Sequence, residues 1–91
     1  MEVKHTAIAG TVESSDLLVR VEPSQDGIEL EIVSVVKDRF GHLIEAEVRG
    51  VLKALDVTNA RVFVDDRGAL DFVIRARVET ALRRAAKEAA K

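Results

Sequence analysis

The spacing of the apolar residues changes at Ser34, and this change constrains the fold more than any other feature of the sequence. Before it, residues 28–32 alternate strictly between an apolar and an acidic side chain. A period of two predicts a strand with one buried face and one solvated face. After it, apolar residues recur at steps of three and four as far as Leu55. That period predicts an amphipathic helix over residues 36–55, so a sheet is expected to pack against helices.

Two further strands and a second helix are predicted by the same two periods. Residues 17–22 and 61–65 are rich in strand formers. A second apolar helical face begins at about residue 69, and basic residues fill the last turns of this segment. Cations near the negative end of a helix dipole are favourable, which supports a helix that ends there. The predicted order is strand, strand, helix, strand, helix (ββαβα).

The predicted architecture is an α+β fold in one small domain that spans residues 1–91. A mixed sheet of three strands, or four, carries both helices on one face. The turn at residues 23–27 predicts that the first two strands form an antiparallel hairpin. The second strand, first helix and third strand fit a right-handed crossover, which makes those two strands parallel. Residues 1–5 and 87–91 are predicted to fray.

Composition excludes several classes of function. The chain has no cysteine, which removes disulfides, thiolate catalysis and cysteine-based zinc sites. A formal net charge of −2 and the absence of Trp and Tyr argue against nucleic-acid binding. No apolar run approaches the ~20 residues that span a bilayer, and the N-terminus lacks the order of a signal peptide. We therefore predict a cytoplasmic protein that binds neither nucleic acid nor membrane.

The titratable residues do not form a recognisable catalytic or metal site. His5 and His42 lack ligand spacing, and Asp65 with Asp66 is interpreted as a turn with a helix cap. The basic residues of the second helix are interpreted as a solvated face and not as a phosphate site; they are Arg75, Arg77, Arg83 and Arg84. There is no Gly-rich phosphate loop and no Ser-His-Asp set. We predict no catalytic residue and no metal site.

Residues 9–16 form the one stretch with unusual chemistry. Two adjacent hydroxyls, Ser14 and Ser15, lie between two carboxylates, Glu13 and Asp16. Because a predicted strand follows at once, Ser14 is expected at a bend before it or at its start, exposed to solvent. Local chemistry alone favours an ordinary turn.

Long blocks of the sequence connect this stretch to a known family. They are Ala-Gly-Thr-Val-Glu-Ser-Ser-Asp at residues 9–16, Val-Arg-Val-Glu-Pro at 19–23 and Val-Phe-Val-Asp-Asp-Arg-Gly-Ala-Leu-Asp at 62–71, with shorter matches at 40–41 and 75–77. On these blocks the chain, from residue 4 to residue 86, resembles the acyl carrier protein of citrate lyase, its gamma subunit. The resemblance implies that Ser14 carries phosphoribosyl-dephospho-coenzyme A (phosphoribosyl-dephospho-CoA) through a phosphodiester.

The resemblance also implies partners and a role. A separate prosthetic-group transferase modifies Ser14, and the thiol of the group then carries acetyl and citryl between the alpha and beta subunits of citrate lyase. The carrier itself is non-catalytic. Glu13 and Asp16 are candidates for recognition by the transferase or for keeping the corner hydrated, and the sequence leaves both open. Many family members have Gly where this chain has Ser15, so Ser14 and Ser15 must be distinguished by peptide mapping.

Two alternatives stay open at this point. One is a carrier for a related lyase or for malonate decarboxylase, whose carrier uses the same kind of group; the block at residues 66–71 favours citrate lyase. The other is an unmodified ligand-sensing or assembly domain of the sheet-plus-helices type. An independent hydrolase is a weak third interpretation, because the sequence supplies neither a base nor a deep pocket.

Overall fold

Four strands and two helices make up the part of the chain that the computed structural model describes, residues 1–35 and 37–87 (backbone only at 37–40). They are β1 (Ala7–Gly10), β2 (Leu17–Glu22), β3 (Ile28–Ser34), α1 (Lys37–Ala54), β4 (Ala60–Asp66) and α2 (Asp71–Ala86). The α+β class is confirmed. The predicted first residue of the first helix, Val36, lies outside the described residues, as do residues 88–91 of the tail that we predict to fray.

Strand β1 is the element that the predicted order lacks. Its four residues pair antiparallel with β2, from Ala7 opposite Val21 to Gly10 opposite Leu18. The sequence Ala-Ile-Ala-Gly has only one strong strand former, so local propensity does not reveal it. The order is therefore βββαβα instead of ββαβα, and the sheet has the four strands of the larger alternative. Residues 11–16 consequently become the loop of a β1–β2 hairpin.

The strand order across the sheet is β1-β2-β4-β3. β3 and β4 are parallel, as the crossover predicts, and β2 and β4 are antiparallel. The predicted hairpin between the strands now called β2 and β3 is wrong, because β4 lies between them. Every second residue of β4 is buried, as in a strand that has one face on the core. Residues 23–27 bridge the two strand spacings of about 10 Å, a distance that five residues easily reach.

The core lies between the sheet and the two helices, which pack on the same face as predicted. From the strands, Leu17, Val19, Val21, Val62 and Val64 are almost completely buried. α2 packs on β1 and β2 and also on α1, and its buried side chains recur at helical spacing. Neither helix, over the described residues, is both long enough and apolar enough to cross a bilayer. The position of α2 matters for function, because it places the helix beside the 11–16 loop.

Asp66 shapes the turn between β4 and α2, although its predicted role as a helix cap is wrong. Its side chain is only 1% exposed, and the carboxylate accepts hydrogen bonds from the Ser34 hydroxyl (2.7 Å) and from the N–H groups of Gly68 (3.2 Å) and Ala69 (3.0 Å). The helix begins later, with Leu70 in an extended N-cap conformation that makes no side-chain hydrogen bond. A buried carboxylate needs such donors, and the turn supplies them.

The N-terminal segment, which we predict to fray at residues 1–5, lies against the ends of both helices. The terminal ammonium of Met1 donates to the carbonyl oxygens of Leu55 and Asp56, each at 3.1 Å. The N–H group of Lys4 donates to the Ala85 carbonyl at 2.9 Å, and Val3 is buried. Fraying of this segment stays a prediction, and these are the contacts that would have to open.

Candidate functional site

The 11–16 loop forms a corner of the sheet, and a tight turn stands at its tip. The N–H group of Asp16 donates to the Glu13 carbonyl at 3.1 Å, which makes Ser14 and Ser15 the two central residues of a β-turn. Ser14 is exposed and lies three residues before β2 begins, at a bend before the strand as the pattern predicts. Its hydroxyl is therefore open to another macromolecule.

Backbone hydrogen bonds attach this loop to the turn that follows β4. The N–H group of Ser15 donates to the Arg67 carbonyl (2.9 Å), and the N–H group of Arg67 donates to the Asp16 carbonyl (2.9 Å). Across the loop, the N–H group of Thr11 donates to the Leu17 carbonyl at 3.1 Å. The two bonds with Arg67 continue the β2–β4 ladder beyond the strand ends, and the third closes the β1–β2 hairpin, so the backbone on both sides of Ser14 has fixed partners.

The Asp16 carboxylate points inward and is held by α2. The Arg77 guanidinium donates from Nε to Oδ1 and from Nη2 to Oδ2, both at 3.0 Å. The Thr11 hydroxyl donates to Oδ2 (2.8 Å) and the N–H group of Leu17 to Oδ1 (2.7 Å). Hydrogen bonding to the Arg77 guanidinium, above all, holds the pKa of this carboxyl below its ordinary value. Asp16 is thus a part of the scaffold of the corner.

Acid is expected to abolish the stabilising effect of Asp16. Because its pKa is lowered in the fold, this contribution is complete above the unfolded pKa of about 3.9 and disappears as the pH falls through the lower folded value. At about pH 6, Asp16→Asn should lower the free energy of unfolding by about 2 kcal/mol. Urea denaturation at successively lower pH should show the gap to the unsubstituted chain closing below about pH 4. A gap that stays constant into strong acid would contradict the assignment.

Glu13, the other candidate for transferase recognition, lies in different surroundings. Its backbone N–H group donates to the Thr11 hydroxyl oxygen at 3.2 Å and its carbonyl closes the turn. Its side chain is exposed, and no described residue bonds to the carboxylate. Of the two acidic candidates, Glu13 therefore presents a free charge to solvent, whereas both oxygens of Asp16 are already bonded.

Ser15 adopts a backbone conformation that favours glycine. Its φ is 67°, in the left-handed region, and it is the second central residue of the turn. A non-glycine residue there costs about 1–2 kcal/mol, of which glycine's greater freedom in the unfolded chain cancels roughly half. This conformation is a physical reason for the glycine that the resemblance leads us to expect at this position in other family members.

Ser15→Gly is therefore expected to stabilise the chain by about 0.5 kcal/mol. The matched control is Ser14→Gly, because Ser14 does not have a positive φ. That substitution should destabilise the chain by up to about 1 kcal/mol through unfolded-state entropy. Urea denaturation of both variants gives the two signs directly. Destabilisation of the chain by Ser15→Gly would show that the turn is not strained at Ser15.

The other predicted residues do not join this corner. Arg75 bonds to Glu47, Arg83 to Glu79 and Arg84 to the Ile8 carbonyl, so of the four arginines only Arg77 reaches the loop. No group of three His, Cys, Asp or Glu side chains among the described residues is placed to hold a metal ion. Arg77 is the member that local patterning missed, because it lies 61 residues from Asp16. The match at residues 75–77 was the one indication of it.

The chemistry open to the corner follows from what surrounds the Ser14 hydroxyl. No described carboxylate or imidazole is hydrogen-bonded to it, so the described part of the chain supplies no base to deprotonate it. The flanking Asp16 charge is neutralised by Arg77, which lowers the cost of placing an anionic group beside it. The hydroxyl is thus suited to accept a group in a reaction that another protein catalyses.

Known proteins share this sequence and fold. Residues 4–85 match the family model described as malonate decarboxylase delta subunit (MdcD). The citrate lyase acyl carrier protein of Klebsiella pneumoniae is 55% identical over 89 residues, which cover 97% of this chain and 92% of that protein. The one from Halothermothrix orenii is 45% identical, with 98% and 95% covered. A chain of a Pseudomonas malonate decarboxylase hetero-tetramer crystallised with malonate is 27% identical (TM-score 0.61), with 91% and 86% covered.

Proposed function

The chain belongs to the citrate lyase acyl carrier protein family, and we propose that Ser14 is the residue to which its prosthetic group, phosphoribosyl-dephospho-CoA, is joined through a phosphodiester. The observation that carries this proposal is the exposed Ser14 hydroxyl at the tip of a fixed turn. Ser14 is also the serine of the Gly-Thr-x-Glu-Ser-x-Asp block. The residues fit the group, because the hydroxyl is free to be substituted and, of the two flanking carboxylates, Asp16 is paired with Arg77 and Glu13 alone is unpaired among the described residues.

In the proposed role the chain presents a tether and does not catalyse. When bound, the group supplies a terminal thiol that accepts acetyl and citryl groups for the alpha and beta subunits of citrate lyase. Attachment at a fixed corner keeps the group at roughly millimolar effective concentration near both partner sites. Ser14 serves only as the anchor; among the described residues, no carboxylate or imidazole is hydrogen-bonded to its hydroxyl. Turnover of citrate by the purified carrier alone would overturn this non-catalytic role.

The proposal also covers where the transferase binds and in which compartment the protein works. The prosthetic-group transferase is proposed to approach the tip of the 11–16 loop, where Glu13 is free to be recognised. The compartment is proposed to be the cytoplasm. Because the chain has no cysteine, the thiol of the prosthetic group would be the only thiol of the loaded carrier.

An intact mass followed by peptide mapping tests the proposal. The chain is co-expressed with the transferase that attaches the group and with the synthase of its precursor. The expected result is a mass increase that matches phosphoribosyl-dephospho-CoA, on the peptide that contains Ser14. An unshifted mass, with both helper enzymes shown to be active on an established carrier, would reject it. A screen of the unmodified chain for metabolite binding would then address the ligand-sensing alternative.

A second candidate, a carrier for malonate decarboxylase, is favoured by the matching family model and by the fold neighbour. The citrate lyase carriers are more similar, at 45–55% identity against 27%. Reconstitution separates the two: the loaded chain is mixed either with citrate lyase alpha and beta subunits or with the remaining subunits of malonate decarboxylase. Cleavage of citrate in the first mixture alone is the expected result.

A further inference from the structure

We propose that Arg77, on α2, is a positioning residue for the modification of Ser14 and acts through Asp16. This inference rests on the proposed function, since it concerns the loading of that serine. It assigns Asp16 to the scaffold of the corner and leaves Glu13 as the carboxylate available to a partner. The inference also means that α2, which is far from Ser14 in sequence, contributes a residue to the modification site.

The argument starts from a chain of hydrogen bonds that runs from α2 to the residue before Ser14. The Arg77 guanidinium binds both oxygens of the Asp16 carboxylate, which also accepts a hydrogen bond from the Thr11 hydroxyl. The Thr11 oxygen in turn accepts the N–H group of Glu13 at 3.2 Å. These bonds therefore fix both ends of the four-residue turn, and Ser14 lies between them. Among the residues in this series of hydrogen bonds, Arg77 alone lies outside the 11–16 loop.

α2 is a rigid base for this contact. Its buried residues pack against β1 and β2, and Val78, the neighbour of Arg77, is completely buried. The stem of Arg77 passes close to Gly10, because a Cβ placed on that glycine would lie 3.2 Å from Arg77 Cδ. The guanidinium is thus guided along a defined path to Asp16, whose side chain is only 15% exposed. A bidentate pair fixes direction as well as distance.

Loss of Arg77 should misplace the Ser14 hydroxyl without removing it. The backbone bonds to Arg67 would still hold the loop, but the Asp16 carboxylate would be free to turn outward. Misplacement of a reacting atom by about 1 Å can reduce a rate about 100-fold. We therefore expect Arg77→Met to lower kcat/KM for loading by about 10- to 100-fold, mainly through kcat. A residue that contacted the transferase directly would mainly change KM.

The experiment measures loading kinetics of the full chain with the purified transferase and its precursor substrate. The matched control is Arg83→Met, which removes the same charge from the same helix but breaks only an exposed pair with Glu79. A double variant with Asp16→Asn tests the route: if Arg77 acts through Asp16, the double variant loads no more slowly than the slower single variant. Arg77→Lys retains the charge without the bidentate contact and should load at an intermediate rate.

A second measurement does not depend on loading. Amide hydrogen exchange at Ser15 and Asp16 in the unmodified chain should become faster in Arg77→Met and stay unchanged in Arg83→Met. Circular dichroism confirms that each variant is folded under the assay conditions. Should Arg77→Met not fold, Arg77→Lys decides, and loading at the rate of the unsubstituted chain would overturn the inference.

Three results would each overturn the inference about Arg77. They are an undiminished loading rate of Arg77→Met, an equal loss of loading rate in Arg83→Met, or a loss in the double variant that equals the product of the two single losses. These differ from failure of the proposed function, in which the unsubstituted chain itself is not loaded by an active transferase. In that case the inference fails together with the function. A loaded unsubstituted chain with an unaffected Arg77→Met rejects the inference alone.

Discussion

Ser14→Ala is expected to abolish attachment of the prosthetic group while leaving the fold intact. The substitution removes the only atom through which the phosphodiester can form at this position. The side chain is exposed and no described residue is hydrogen-bonded to its hydroxyl, so the free energy of unfolding should change by less than about 0.5 kcal/mol. Intact mass after co-expression with the transferase should equal that of the unmodified variant chain.

Ser15→Ala is the matched control for this result. It removes the neighbouring hydroxyl from the same turn and should load like the unsubstituted chain, because its hydroxyl belongs to the other central residue of the turn. Ser15→Gly should also load, since glycine suits the φ of 67° at that residue. Modification that persists in Ser14→Ala, with peptide mapping to Ser15, would refute the assignment. Loss of loading in both alanine variants would show that neither hydroxyl alone is sufficient.

Gly10→Ala is expected to cause the largest loss of stability, about 3 kcal/mol. Gly10 ends β1 with a φ of 88°, and a Cβ added there would overlap the carbonyl oxygen of Leu17. That oxygen accepts the N–H group of Thr11 and so closes the β1–β2 hairpin. The strand end would have to separate from β2, and the Ser14 loop would lose its frame. Urea denaturation followed by circular dichroism measures the loss.

Gly50→Ala makes the same chemical change in a place that can accept it. Gly50 lies in α1, and a Cβ added there would meet no other atom within 4 Å. Alanine is a better helix former than glycine, so this variant should be more stable by about 0.5–1 kcal/mol. Opposite signs for the two variants would support the role of Gly10 in the corner. A mild or stabilising Gly10→Ala would contradict the close approach of β1 to β2.

In the proposed role, the corner holds the Ser14 hydroxyl with parts that come from distant segments of the chain. Its tip comes from the β1–β2 hairpin, its backbone support from the turn after β4 and its side-chain support from α2. This arrangement suits the proposed tether, for which a transferase would need a hydroxyl in one place and would itself supply the base. The same reasoning explains why stability and loading should respond together to Gly10→Ala and separately to Ser14→Ala.

The sequence alone predicted the elements whose cause is local. The alternation at residues 28–32 produces β3, the three-and-four spacing produces α1, and the polar stretch before residue 17 produces an exposed bend at Ser14. Each of these follows from which side chains one element can bury, which neighbouring residues determine. The family resemblance was also recognisable from the sequence, because the matching residues form continuous blocks in the chain.

The tertiary structure decided several features that depend on which distant segments meet. Strand β1 exists because β2 offers it a paired edge, and β4 lies between β2 and β3, two strands that are adjacent in the sequence. The partnership of Arg77 with Asp16 arises only because α2 packs across β1 and β2. The spacing of apolar residues predicts which face of a segment is buried. It does not predict which segment packs against that face, because this depends on the packing of the whole chain.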